Sequence, residues 1–251
     1  MTATLIDTRN LSDSEVIIYV VIAVVLCLII LQLALDSYFV PFLLLVNIGI
    51  AVLYNMGTNI FLGEISYITK AISAVLQLGV TMDFAIFLYH SYIQEKNNFT
   101  SKEEAMANAI RKTFTSVLGS SLTTIAGFLA LCSMNLSLGK DIGIVMAKGV
   151  LFGVVSVVTI LPALILECDK IIEKTKHKEI LPKFTHLRDF IIKHYVIITI
   201  LFIIILPIAF YGYKNTDVYY KLDKSLPESL SSVEANNILK EDFKWHQWKC
   251  F

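Results

Sequence analysis

Charged side chains are scarce in this sequence: only 17% of its 251 residues are Asp, Glu, Lys or Arg, where an ordinary soluble domain carries about a quarter. That shortage argues against a soluble globular class. A net charge is also lacking, since 21 basic residues balance 21 acidic ones, so no global field points to a nucleic-acid partner or to an anionic ligand. Cysteine is sparse and unpatterned. Cys27, Cys132, Cys168 and Cys250 contain no CxxC spacing, and we expect packing residues rather than a disulfide framework, a metal site or a cofactor. A removable signal segment is not expected either, because residues 1–15 are polar where a short apolar core would have to begin.

What the chain has in abundance is apolar sequence: 56% of residues are hydrophobic and the mean hydropathy is +0.68. A spanning helix needs about 20 mostly apolar residues, and six such runs occur, near 15–35, 38–61, 67–92, 114–135, 142–166 and 190–213. A soluble bundle would show a polar face on each helix, yet Val16 to Leu35 holds no charge and only Gln32 as a strongly polar side chain. The expected fold is therefore an all-α integral membrane protein, a polytopic bundle of about six transmembrane helices, multi-pass in the cell membrane with the lipid bilayer as its solvent.

Lys and Arg in short loops set the orientation. Segments 93–113 and 169–194 carry eleven of them against three, Arg9, Lys70 and Lys140, in the opposite short segments. Both basic segments are expected on the cytoplasmic side. Ser101 and Glu104 match a capping box, and Met106, Ile110 and Phe114 recur at helical spacing, so a short amphipathic helix near 101–113 is expected along the inner interface before the chain turns into the next span. The Lys/Glu-rich stretch from 169, broken by Pro182, reads as a solvated cytoplasmic linker over 169–189.

Asp83 is the strongest site candidate. It stands in the middle of the third run with no acidic neighbour, and an acid at mid-membrane costs about 2.5–3.5 kcal/mol on insertion scales, so it marks a functional site by default. Its carboxyl can take up and release a proton, which is what a proton relay requires; the alternative is a packing Asp bonded to a neighbouring hydroxyl. Gly79 lies one turn before it on the same face and would let a second helix approach closely. His90 lies seven residues beyond on that face, either extending a proton path or serving as an amphipathic end residue.

In the next run Ser116, Ser120, Thr123 and Gly127 form one stripe, with Ser121 and Thr124 beside it, as helix-packing residues or as partners of Asp83. Gly149 and Gly153, followed by Ser156, make a small-residue face for tight helix packing. Lys148 stands about two turns from the outer end of its run and is expected to snorkel outward rather than pair with Asp83. Asn47, alone among apolar residues, is expected to bond to another helix.

The string Leu78-Gly79-Val80-Thr81-Met82-Asp83-Phe84-Ala85-Ile86-Phe87-Leu88 resembles the GxxxD-bearing fourth helix of MMPL transporters of the resistance-nodulation-division (RND) superfamily. Ser120 to Phe128, Asp141 to Val145 and Leu161-Pro162-Ala163-Leu164 are similar to the helices that follow in that family. The resemblance implies an RND-type half, with the six spans standing for helices two to seven of twelve. Residues 1–14 would end one extracytoplasmic domain, 15–168 form a five-helix block, 190–213 add a helix and 214–251 begin a second extracytoplasmic domain. It further implies that Asp83 is the proton-relay position, with Phe84 standing where many members have tyrosine; the last residues, 245–251, do not resemble the family.

The function so implied is secondary active transport: proton-driven export of a hydrophobic, lipid-like or drug-like substrate, with no bond-making enzyme chemistry. The expected partners are that substrate and either the second half of the transporter or a homo-oligomer partner. Two other classes stay open on the residues, a sterol-sensing-like lipid-binding module and a protein-secretion accessory of the same superfamily.

Overall fold

The computed structural model describes residues 2–177, 185–216, 234, 235 and 238, with side chains described from residue 16 to 177, from 187 to 216 and at those last three positions. The expected extracytoplasmic segment from 214 onward and residues 245–251 lie almost wholly outside the described residues. Eight α-helices are present among them: α1 (Thr2–Ala34), α2 (Val40–Gly57), α3 (Tyr67–Lys96), α4 (Lys102–Leu131), α5 (Ser137–Glu167), α6 (Asp169–Lys174), α7 (Thr185–Lys193) and α8 (Tyr195–Lys214). Six helices within the described residues are long and apolar enough to cross a bilayer, and the protein is an all-α polytopic membrane bundle.

The chain divides into two units, Arg9–Ile180 and a second formed by Met1–Thr8 with Leu181–Phe251. In the first, α5 is the central helix and packs on α2, α3 and α4, while α3 also packs on α2 and α4. Helix α1 contributes Leu31 to the core, Leu35 just after its end adds to it, and the helix exposes Ile17, Ile18, Val21, Ile22 and Ile29, as a lipid-facing helix should. In the second unit α7 packs on α8, a 20-residue apolar helix.

Local sequence explains where these helices start and stop. Ser101 caps α4, its hydroxyl accepting from the Glu104 amide at 3.5 Å, with Glu103 and Glu104 in the first turn where they complement the helix dipole. The turn before α3 needs Gly63, which adopts φ +81° after the 3-10 turn Thr58–Leu62. Helices α3, α4 and α5 have 30, 30 and 31 residues, half again what a bilayer core requires, so their polar ends run past the hydrocarbon.

That excess length corrects two expectations. No separate interfacial helix turns into a span near 113: Lys102–Leu131 is one continuous helix. Its first turns stay alongside α3 because Glu95 of α3 accepts from Asn108 Nδ2 at 2.6 Å and pairs with Lys112. Nor is the stretch after 168 a solvated linker throughout. It starts with α6, whose Asp169 and Ile172 are buried, and residues 175–177 then pair with the corner between α1 and α2 through an antiparallel bridge of Ser37 with Lys176. Residues 178–184 of that expected linker, with Lys178, Pro182 and Lys183, lie outside the described residues.

Hydrogen bonds sort the loops to two ends. The corner 36–38 and the segment 168–177 meet at one end, through Ser37 Oγ and Thr175 Oγ1 at 2.8 Å, and the start of α4 joins the end of α5 there through Lys102 Nζ donating to the Leu166 carbonyl at 3.1 Å. Residues 58–66 and the start of α5 meet at the other, where the Ser66 amide donates to Asp141. The first end carries the basic loops and is the inner end in the orientation expected from the sequence, and the second is the outer end.

Candidate functional site

Asp83 stands about 24 Å from the outer start of α3, a helix about 45 Å long, and so at mid-span. Leu76, Gly79, Asp83, Phe87 and His90 form its exposed face, whereas Gln77, Thr81, Phe84, Ala85, Leu88, Tyr89 and Tyr92 turn into the bundle. The structure thus brings Gly79, Asp83 and His90 onto one face, and that face points away from the five helices of its own unit that surround the core. Among the described residues Asp83 makes no hydrogen bond or ion pair. The space over Gly79 is open, so the close helix approach expected there is not made among the described residues. Phe84 is 8% exposed and faces the core, on the side of α3 away from the Asp83 carboxyl.

The hydroxyl stripe of α4 is not assembled around Asp83. Ser120 Oγ donates to the Ser116 carbonyl at 3.0 Å, and Thr123 and Thr124 each donate to the Ser120 carbonyl at 2.8 Å. These side chains satisfy their own helix, as Ser and Thr do in an apolar setting where no other acceptor is near. Ser116, Ser120, Thr123 and Gly127 are exposed, so α4, like α3, turns a small and polar face outward from the bundle.

The opposite face of α3 meets a polar seam that was only half visible in the sequence. A Cβ on Gly149 would lie 2.6 Å from Asn55 Nδ2 and 3.0 Å from Gln77 Oε1, and one on Gly153 would collide with the Thr81 hydroxyl. These two glycines therefore let α5 close on α2 and α3. Across the contact Asn55 Nδ2 donates to Gln77 Oε1 at 2.8 Å, and Gln77 Nε2 donates to the Gly149 carbonyl at 3.1 Å. Further in, Ser156 Oγ donates to Asn47 Oδ1 at 2.7 Å, the interhelical bond expected of Asn47.

Lys148 extends toward the outer end, as expected, and its ammonium is held there by the protein's own acceptors. Its ammonium donates to the Asn55 carbonyl at 2.9 Å, to Thr58 Oγ1 at 2.9 Å and to Asn59 Oδ1 at 2.6 Å. All three acceptors belong to the C-terminal end of α2 and the turn after it, where carbonyls lack helical partners and the dipole favours a cation. Asn55, Gln77 and Thr81 were not singled out in the sequence. The signal was there for Gln77 and Thr81, polar residues four apart inside an apolar run, but they stand beside Asp83 in sequence and opposite to it in space.

Six bilayer-length helices, a mid-span acid on an outward face and a tight small-residue seam behind it describe a polytopic membrane protein. The sequence profile of the MMPL family matches residues 1–179, and the chain belongs to that family. It is 38% identical over 91 residues to membrane protein MJ1562 of Methanocaldococcus jannaschii, covering 36% of this chain and 24% of that one. It is 34% identical over 116 residues to membrane protein ActII-3 of Streptomyces coelicolor, covering 46% and 16%. A third match, 27% identical over 168 residues and covering 65% and 18%, is to "Probable transport protein MmpL4" of Mycobacterium leprae. The chain thus spans about a quarter or less of the length of these relatives.

Proposed function

We propose that this chain forms one half of a proton-driven exporter of a hydrophobic, lipid-like or drug-like substrate, in which Asp83 is loaded and unloaded with a proton as the halves rock. The observation that carries the reading is the outward placement of Asp83: a mid-span acid with no partner among the described residues is costly to leave against lipid. Facing a second half, it would line the interface where transporters of repeated architecture keep their coupling sites. The match to a relative named as a transport protein supports the same class. No bond-making chemistry is assigned to the chain. A lipid sensor would have no need of the acid.

The test is Asp83→Asn in the full-length product of the gene, which keeps size and hydrogen bonding and removes the titrating proton. Uptake of a fluorescent phospholipid into inside-out vesicles under an imposed pH gradient, which corresponds to export from the cell, is expected to vanish, with insertion and yield unchanged, and Asp83→Glu is expected to keep part of it. Wild-type export by well-folded Asp83→Asn protein would overturn the relay.

A further inference from the structure

The last two turns of α3 are held by side chains from the α1–α2 corner, α4 and α6. Tyr89 OH donates to Asp36 Oδ1 at 2.7 Å, in the corner between α1 and α2. Tyr92 OH donates to Asp169 Oδ1 at 2.9 Å, at the start of α6. Lys96 Nζ reaches that same oxygen at 2.6 Å and Glu173 Oε1 at 2.8 Å, one turn further along α6. Glu95 holds Asn108 and Lys112 of α4. Tyr89 and Tyr92 are fully buried, and Glu95 and Asp169 are 3% and 7% exposed, so the two tyrosine–aspartate bonds are not loose surface contacts.

The two aspartates that bind the tyrosines sit on segments joined to each other. The His177 amide donates to the Asp36 carbonyl at 2.9 Å and the Tyr38 amide to the Thr175 carbonyl at 3.2 Å, closing a two-rung clip. Ser37 and Thr175 hydroxyls bond across it at 2.8 Å, and the rings of Tyr38 and His177 lie 4.2 Å apart. A buried tyrosine hydroxyl left without an acceptor is costly, so sliding α3 past either aspartate would be opposed twice over. The tyrosines stand on the face of α3 opposite Asp83, six and nine residues beyond it and joined to it by unbroken helix.

We propose that Asp36 and Asp169 are positioning residues for the Asp83 helix: through Tyr89, Tyr92 and Lys96 they bind α3, the α1–α2 corner and α6 into one body. A change of state at Asp83 is then carried to the inner surface as a movement of that body, and not as a slide of α3 alone. The inference rests on the reading of Asp83 as the group whose protonation changes, and it assigns the route by which that change leaves the membrane.

Amide hydrogen exchange tests it without any substrate. In the full-length protein, Asp83→Asn stands for the protonated state. Exchange in residues 36–39 and 168–177 is expected to change by about fivefold or more between wild type and Asp83→Asn, the lower end of ordinary coupling free energies. Tyr89→Phe and Tyr92→Phe each delete one hydroxyl and keep the ring, so each single variant is expected to shrink that response and the double variant, in which only Lys96 still holds α3 to Asp169 and Glu173, to shrink it further. Exchange in both segments that ignores Asp83→Asn in the wild-type background would overturn the proposal, and so would a response that survives undiminished in the single tyrosine variants. A failed transporter reading would look different: Asp83→Asn would export normally while the exchange response stood or fell by itself.

Discussion

Gly153 leaves room for the Thr81 side chain and nothing more, because a Cβ there would collide with the threonine hydroxyl. Thr81 is fully buried between α3 and α5 and has little freedom to move. Gly153→Ala is therefore expected to destabilise the bundle by about 1–3 kcal/mol, the usual cost of overpacking, read as a lower midpoint of thermal unfolding in detergent. Gly79→Ala is the contrasting case. Open space surrounds Gly79, so the midpoint should stay where it is; a loss of export in that variant with an unchanged midpoint would place the contact made by Gly79 outside this bundle. An equal drop in both midpoints would contradict the outward placement of the Asp83 face. Ser156→Ala tests the seam at a third point: it leaves Asn47 Oδ1 without its interhelical donor and is expected to cost about 0.6 kcal/mol, the average for such bonds in membranes, and no more than about 1.7 kcal/mol.

At the scale of helices, the spans were legible because the bilayer imposes a length and an apolarity that few other constraints mimic, and the run Val16 to Ala34 could hardly be anything else. The periodicity of α3 also gave the grouping of Gly79, Asp83 and His90, since residues three, four and seven apart share a face whatever surrounds them. Which way that face points was not legible, because it depends on where α2 and α5 pack. The same holds for Lys148, whose three acceptors lie some 90 residues earlier in the chain. The stretch after 168 misled for a different reason: its many lysines and glutamates read as solvated, and they mask the two positions, Asp169 and Ile172, that share a buried helical face.

The meeting of three segments at the end that carries the basic loops makes the orientation testable at that same scale. Asn98 and Lys174 are both exposed there. Single cysteines at these positions, in a background lacking Cys27, Cys132, Cys168 and Cys250, are expected to resist a membrane-impermeant thiol reagent in intact cells and to label after permeabilisation. Labelling of either in intact cells would invert the topology, since the excess of Lys and Arg that assigns this end to the cytoplasm would have failed.

For the whole molecule, the outward faces of α3 and α4 decide what the chain can do by itself. Gly79, Asp83 and His90 on α3 and Ser116, Ser120, Thr123 and Gly127 on α4 are all exposed, although small and polar residues in membrane helices ordinarily mark a contact. Lipid offers these groups no hydrogen bonds, and an acid at mid-bilayer stays expensive until protein or water covers it. A bundle that keeps its hydroxyls bonded to their own backbone can insert and fold without that cover, but it has only one wall of the proposed coupling site. The 251-residue chain, purified and reconstituted as a monomer, is therefore expected to be folded and inactive in pH-driven export. Activity should appear only with a second membrane half, supplied by the rest of the gene product or by a second copy. A single cysteine at Phe87, 48% exposed on the Asp83 face, separates the two sources: oxidation should cross-link reconstituted chains to one another only if copies pair through that face. Robust export by a chain that stays monomeric and uncross-linked would refute the two-half reading, because the site would then have been complete with the wall that this sequence supplies.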